Sequence, residues 1–459
     1  MKGLSYIFIS ACLLLASCNG GSTKPADDRM VSLITLDPGH FHAALVQKSM
    51  YANVSPVVHV YAQAGADLEQ HLARINAYNT REVDPTSWKE IVYRGDDFLS
   101  RMLSDKAGNV VVLAGNNRNK AEYIKRSIES GLNVLSDKPM IIDPADLPVL
   151  QQAFRTASAK GLLLYDIMTE RYEIATMLQK ELSQNSEIFG QLIDGTREDP
   201  AVTKESIHHF SKIVSGSPLI RPAWFFDTEQ QGEGITDVTT HLVDLVQWEC
   251  FSDRVPDTSD IHMVSARRWE TWLSSKEFRE VTGLDAYPGY LKAKTRNDSL
   301  GVYSNGSMTY SIKGKWVKVS VEWRYRAPEG GSDTHYSVMK GTNCDLVIRQ
   351  SEKEKYLPEL YIENIRGGMD GFRANLTKAL SGLPYDSLSF ITAGNGLRIV
   401  IPSKYRVGHE AHFAQVTAKF LEYLKAGKLP EWEVQGMLTK YYTTMSALKM
   451  ARGFRTDLR

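Results

Sequence analysis

The residues best suited to chemistry stand in Gly234–Phe251, GITDVTTHLVDLVQWECF. Read as a helix, this stretch puts Asp237, His241 and Asp244 on one stripe at i, i+4 and i+7, beside an apolar stripe of Val238, Leu242 and Leu245. A carboxylate one turn from an imidazole fixes its tautomer and raises its basicity, as a general base requires. The same spacing also suits a surface ion pair on an amphipathic helix. A second stretch, TLDPGHFHAALV from Thr35 to Val46, lies where a nucleotide-binding protein carries G-x-G-x-x-G, yet it has one glycine, Gly39. In GHEAHF, His409 and His412 fall one residue short of H-E-x-x-H, so the zinc-protease spacing fails. The pair is read as lining a cleft or capping a helix, and no metal is expected. RPAWFFDTEQQGEG sets Arg221, Trp224, Phe225 and Phe226 just ahead of the helix, as sugar-facing surface or as core.

The elements that must position these groups alternate. From Met30, short apolar runs (MVSLITL, PVVHVYA, EIVYR, NVVVLAG, NVLSDKP, LLLYDI) are separated by helical patterns, with Asn119 placed to cap one helix and Gly131 to stop it. This predicts a doubly wound parallel sheet over residues 30–166, with ligands at the carboxyl ends of its strands. Residues 167–459 change grammar. VKVSVEWRY alternates, with Val317, Val319, Val321, Trp323 and Tyr325 on one face, and Asn305-Gly306 is a hairpin signal. The expectation is an α/β protein whose C-terminal α+β domain carries a large open, mostly antiparallel sheet.

The chain has 459 residues, 54 basic and 54 acidic, so nothing in its charge points to nucleic acid. MKGLSYIFISACLLLASCNG reads as a signal peptide over 1–17, with small residues before Cys18 that resemble the bacterial lipoprotein processing site. Cys18 would be lipidated, Asn19 favours outer-membrane sorting, and residues 18–29 form a flexible tether. Cys250 and Cys344 remain, enough for one disulfide and for no framework.

VVVLAGNNRNKAEYIKRSIESGLNVLSDKPM, followed by GEGITDVTTHLVDLVQW, resembles the glucose–fructose oxidoreductase/inositol dehydrogenase (Gfo/Idh/MocA) family. Lys138-Pro139 matches the lysine–proline of its E-K-P motif, with Asp137 for the glutamate. Ala114-Gly115-Asn116-Asn117 stands for A-T-P-N, with Lys120 for the histidine after it. Asp237, His241 and Asp244 match the later helix, and Thr239 replaces a glycine. SVMKGTNCDLV is similar to a glycine-rich turn in the large sheet.

The resemblance implies NAD or NADP and a sugar or polyol hydroxyl. Lys138 would hold the reacting oxygen, His241 would take its proton, and Asp237 would orient substrate or histidine. Expected cofactor contacts are Gly39, His40, Phe41, His42, Ala114, Asn116, Asn119, Asp137 and Lys138, with His40 and His42 as side-chain donors to phosphate. Asp37 and His42 take the outer glycine positions of the first turn, which reads as rebuilt, and no acid ends the second strand to take a ribose hydroxyl. Export implies a cofactor held through many turnovers, because no free dinucleotide exists outside the cytoplasm. Two further readings stand beside oxidation, for which C3 is a candidate position. One is glycoside cleavage by transient oxidation, with His208, His209, Tyr172, His409 or His412 as the second acid/base. The other is a carbohydrate-binding lipoprotein that has lost its cofactor. Trp224 and Asp244 complete the expected substrate side, and the open sheet suggests a homo-oligomer.

Overall fold

The structure, a computed structural model, describes residues 30–214, 217–252 and 254–453. The leader and Cys18 lie outside the described residues. Strands β1 (Leu33–Leu36), β2 (Val57–Ala62), β3 (Lys89–Arg94), β4 (Val110–Leu113), β5 (Asn133–Asp137) and β6 (Leu164–Ile167) form one sheet. Their order is β3-β2-β1-β4-β5-β6, and all neighbours are parallel. Central strands covered on both faces must be apolar throughout, and LITL and VVVL are buried at every position. The strand order reverses between β1 and β4, which opens the crevice where such sheets bind ligands.

Helices α1 (His42–Leu45), α2 (Ala66–Thr80), α3 (Phe98–Asp105), α4 (Lys120–Glu129) and α5 (Leu147–Lys160) return the chain between strands, and α6 (Ile174–Ser183) follows the last strand. The run AALVQKSM yields only one α turn. Beyond it the Gln47 backbone carbonyl accepts from Trp88 Nε1 (2.6 Å) and the Gln47 side-chain Nε2 donates to Glu90 Oε1 (2.7 Å), which pins the chain against β3. Asn119 stands at the N-cap of α4 but makes no capping bond, while Gly131 ends the turn with φ +87°.

The second sheet runs in the order Ile261–Ser274, Ser299–Ile312, Lys315–Arg326, Val202–Ser211, Thr334–Lys340, Asp345–Gln350, Glu359–Glu363, Gly396–Val400, Ser389–Ala393. Along this path only Lys315–Arg326 and Val202–Ser211 pair in parallel. Asn305-Gly306 is no hairpin. It lies mid-strand, where Asn305 Oδ1 accepts from the Trp323 amide (2.6 Å) and its amide donates to the Trp269 carbonyl (3.0 Å). A Cβ at Gly306 would stand 2.5 Å from Ile235 Cβ, so the glycine serves close packing of the segment that leads into the histidine helix. Cys250 and Cys344 are free thiols.

Two helices, His409–Ala426 and Glu431–Ala451, close the chain. Phe413, Val416 and Phe420 join the core of the first domain, so this part of the chain returns to the parallel sheet. Helix Glu431–Ala451 serves both domains: Met437, Tyr441 and Met445 pack into the first core, Ala447 and Leu448 into the second. Tyr441 Oη donates to Asp166 Oδ2 (3.1 Å) and accepts from the Met140 amide (3.1 Å), which fixes the chain just past β5. No helix among the described residues is long and apolar enough to cross a membrane.

Candidate active site

The end of β5 delivers Asp137 and Lys138, and the segment before helix α7 (Thr239–Cys250) delivers Asp237. Lys138 Nζ stands 2.5 Å from Asp237 Oδ1, with both side chains about nine-tenths buried. Asp237 Oδ2 accepts from Gln231 Nε2 (3.1 Å). His241, one turn on, keeps its Nδ1 buried with no hydrogen-bond partner. Burial, with Lys138 and His409 nearby, pushes its pKa well below the usual imidazole value, so it stands neutral with a lone pair to offer.

The expected pairing of His241 with its helix neighbours is corrected. Asp237 belongs to Lys138, and Asp244 is gripped by Arg171 (2.6 and 2.7 Å) and by Lys440 Nζ (2.9 Å). Although burial works the other way, those cations hold Asp244 well below the usual carboxylate range. Arg171 also binds Glu433, and Lys440 binds Asp166, so Asp244 is a knot between domains with both its oxygens engaged. Asp237 and Asp244 are 5% and 3% exposed, which removes the surface ion-pair reading.

The turn after β1 lies on the β4 end. Asp37 has φ +49°, and its carboxylate turns aside to accept from Tyr123 Oη (3.1 Å); burial raises its pKa. The Gly39 and His40 amides both donate to the Ala114 carbonyl (3.3 and 3.2 Å). A Cβ at Gly39 would stand 3.0 Å from Asp67 Oδ2 and 3.1 Å from the Trp224 ring, so glycine keeps a narrow cradle open there. Trp224 Nε1 donates to Asp67 Oδ2 (2.7 Å), bridging the domains. The aromatic run ahead of α7 is therefore core and cross-domain tie: Trp224, Phe225 and Phe226 are all buried. Asn116 donates to Gln230 Oε1 (2.7 Å), a second bridge.

His40 and His42 do not present Nδ1 to the crevice as phosphate donors. His42 Nδ1 lies 2.9 Å from Asp137 Oδ2 and His40 Nδ1 3.8 Å from the same oxygen. Phe41 packs against both rings, with centroids 4.6 and 4.4 Å away, and the two imidazoles themselves meet edge-on at 4.0 Å. Lys120 reaches under the site to donate to the Asp137 carbonyl (3.0 Å).

A second polar group faces Lys138. Asp333 accepts from His209 Nδ1 (3.1 Å) and lies 3.1 Å from His208 Nδ1, with Lys212 on the same carboxylate. His409 Nε2 lies 3.3 Å from Thr169 Oγ1 and 3.9 Å from Glu170 Oε1. Burial raises the Glu170 pKa, and Lys138 and Lys212 oppose that rise. Glu170, Lys212 and Asp333 escaped the sequence reading. Glu170 follows β6 just as Lys138 follows β5, so the strand-end rule had a signal for it, whereas Asp333 sits in a loop with none. Tyr172 packs against the first core, and His412 is buried with neither ring nitrogen bonded.

The residues fit a dinucleotide at its reacting end, where a held cation and a neutral imidazole meet beyond β5. At the diphosphate end they offer the Gly39 cradle with its amides shared with Ala114.

The family profile "Oxidoreductase family, NAD-binding Rossmann fold" matches residues 36–165, and "Putative oxidoreductase C terminal domain" matches 178–452. No curated protein matches the chain. It is similar to a crystal structure of a "putative oxidoreductase" from Parabacteroides merdae ATCC 43184, at 54% identity, 93% coverage of this chain and 98% of that one, and a TM-score of 0.90. At the level of fold it is similar to levoglucosan dehydrogenase in complex with NADH and levoglucosan, at 14% identity, 92% and 97% coverage and a TM-score of 0.59. It is also similar in fold to KijD10, a 3-ketoreductase from Actinomadura kijaniata in complex with NADP, at 12% identity, 93% and 98% coverage and a TM-score of 0.53.

Proposed function

The chain belongs to the Gfo/Idh/MocA oxidoreductases, with an NAD-binding Rossmann domain, and from that premise we propose that it oxidises a secondary hydroxyl of a sugar or glycoside. The observation that carries this reading is the Lys138–Asp237 pair beside a neutral His241 at the end of β5. Sugar ligands in the levoglucosan dehydrogenase complex support the substrate class. A nicotinamide, when bound, would supply the hydride acceptor. Lys138, held by Asp237, donates to the substrate oxygen, and His241 takes the hydroxyl proton as the carbinol hydrogen departs. Further parts of the proposal are export as a lipoprotein anchored through Cys18, retention of the cofactor between turnovers, and assembly through the edge strand that exposes Trp269 and Trp272.

Glu170 favours a second reading. Oxidation at C3 would acidify C2–H; a second base would take that proton, the aglycone would leave as the C1–O bond breaks, water would add to the enone, and a nicotinamide, when bound, would supply the reductant that restores the alcohol. Glu170 beside His409 supplies a carboxyl able to carry a proton. Incubation of the purified protein with aryl glycosides separates the two: keto-glycoside supports oxidation, and free aglycone with unoxidised sugar supports cleavage. Neither product, from protein that also releases no nucleotide on denaturation, would leave only a binding protein.

A further inference from the structure

We propose that His40, His42 and Asp137 form a binding site for one divalent transition-metal ion beside the reacting end of the crevice. Metal binding here does not depend on the hydride-transfer reading.

Three observations carry it. The two imidazoles come from the turn after β1 and the carboxylate from the end of β5, so the topology brings them together across the carboxyl end of β4, the strand between them. One ligand atom from each lies within 4.8 Å of the others. The Nδ1 atoms of His42 and His40 stand 2.9 and 3.8 Å from the same carboxylate oxygen. Ligand bonds of about 2.0–2.2 Å place neighbouring ligands about 3–3.5 Å apart, inside that interval. The pairing is also poorly explained as hydrogen bonding alone. One carboxylate oxygen faces two imidazoles, and the remaining contact of His40 Nδ1 is a long one from the His42 amide (3.4 Å).

The donor set narrows the ion. Two imidazoles and one carboxylate suit Zn²⁺, Mn²⁺, Fe²⁺, Co²⁺ or Ni²⁺ and leave positions open, whereas Ca²⁺ and Mg²⁺ prefer oxygen. The surroundings are those of a catalytic site. His42 packs against Phe413 (ring centroids 4.6 Å apart), and its ring centroid is 5.7 Å from that of His409. Lys138 follows Asp137 directly, and His241 Nδ1 is buried without a partner close by. An ion held here would keep open positions for an oxygen ligand, which it would polarise as a Lewis acid.

The test uses the full-length protein, purified without chelator, and reads metal by mass spectrometry and by titration with Co²⁺ after chelation and dialysis. About one equivalent per chain and a ligand-field spectrum with imidazole character are expected. His40→Ala and His42→Ala should each weaken Co²⁺ binding by about 10–100-fold or more, while His262→Ala, on an exposed strand position, should not. His40→Gln keeps a polar side chain at the turn and serves if a smaller residue impairs folding, which circular dichroism would report. Absence of Co²⁺ binding at micromolar concentration by folded wild-type protein would overturn the proposal. So would wild-type affinity in a folded His40/His42 double variant, which would place any metal elsewhere. Neither result bears on whether nucleotide is bound, so the oxidoreductase reading is decided separately by the nucleotide released on denaturation.

Discussion

Lys138 and Asp237 belong to different domains, and their 2.5 Å contact ties the end of β5 to the entry of α7. Taking two ions out of water costs several kcal/mol each, which only a close and well-bonded pair recovers. Here the Asp237 carboxylate has Gln231 on its second oxygen, and the Lys138 ammonium retains donors for a substrate oxygen. In the proposed reaction the pair would therefore set the position of the reacting oxygen relative to both domains at once.

Lys138→Ala should lower turnover by about 10²–10⁴-fold, whereas Asp237→Asn, which keeps the shape and removes the charge, should cost less in turnover and more in thermal stability. Steady-state kinetics and melting curves on both variants check this. Equal losses of turnover with unchanged melting in Asp237→Asn would make Asp237 a direct participant in the chemistry.

His241→Ala should lower kcat by about 10²–10⁴-fold and leave nucleotide content unchanged. Because burial, Lys138 and His409 drive its pKa well below the ordinary imidazole value, the fall in kcat/KM attributable to this base lies on the acid side of neutrality. A pH–rate profile of wild type and variant measures it. A variant that retains the wild-type rate would reduce His241 to a packing residue.

The parallel sheet and its strand ends were legible because a covered strand must be apolar along its whole length, and LITL and VVVL can be little else. Individual partners were not legible. Asp244 has the right spacing from His241, yet Arg171 and Lys440, 73 and 196 residues away in sequence, claim it. Asn305-Gly306 has hairpin composition, but the need for Ile235 to approach the strand decides its place. His40 and His42 looked like phosphate donors because Asp137, 95 residues beyond His42, could not be seen beside them. Local pattern fixes elements; tertiary neighbours assign side chains their work.

Glu90 offers a test of the fold away from the site. Burial pushes its carboxyl up to about 7 from 4.5, against the single amide bond from Gln47. A carboxyl whose folded pKa is raised favours the folded state fully below 4.5, and that advantage is lost as pH rises through 7. The shift corresponds to about 3 kcal/mol at most. Glu90→Gln should therefore raise the melting temperature at pH about 8 and change it little at pH about 5. Denaturation curves at the two pH values decide it, and an equal effect at both would mean that the carboxyl is not desolvated.

The proposed retention of cofactor rests on the turn after β1. Glycine at 39 leaves space that a side chain would take from Asp67 and from the Trp224 ring, and that ring is fixed by its bond to Asp67 across the domains. Gly39→Val should yield folded protein without bound nucleotide, read from the ultraviolet spectrum after denaturation. Trp224→Phe keeps most of the ring but breaks the Nε1–Asp67 bond, leaving a carboxylate unpaired beside the cradle; loss of a hydrogen bond to a charged group, about 1.5–3 kcal/mol, should speed nucleotide release by about 10–100-fold. With wild-type protein, added NAD⁺ should not raise the rate, and donor and acceptor sugars should give parallel double-reciprocal lines. Nucleotide-free wild-type protein that turns over only when NAD⁺ is supplied would mean that Trp224 and Asp67 close a site the cofactor enters and leaves in every cycle, and the retained-cofactor reading would fall.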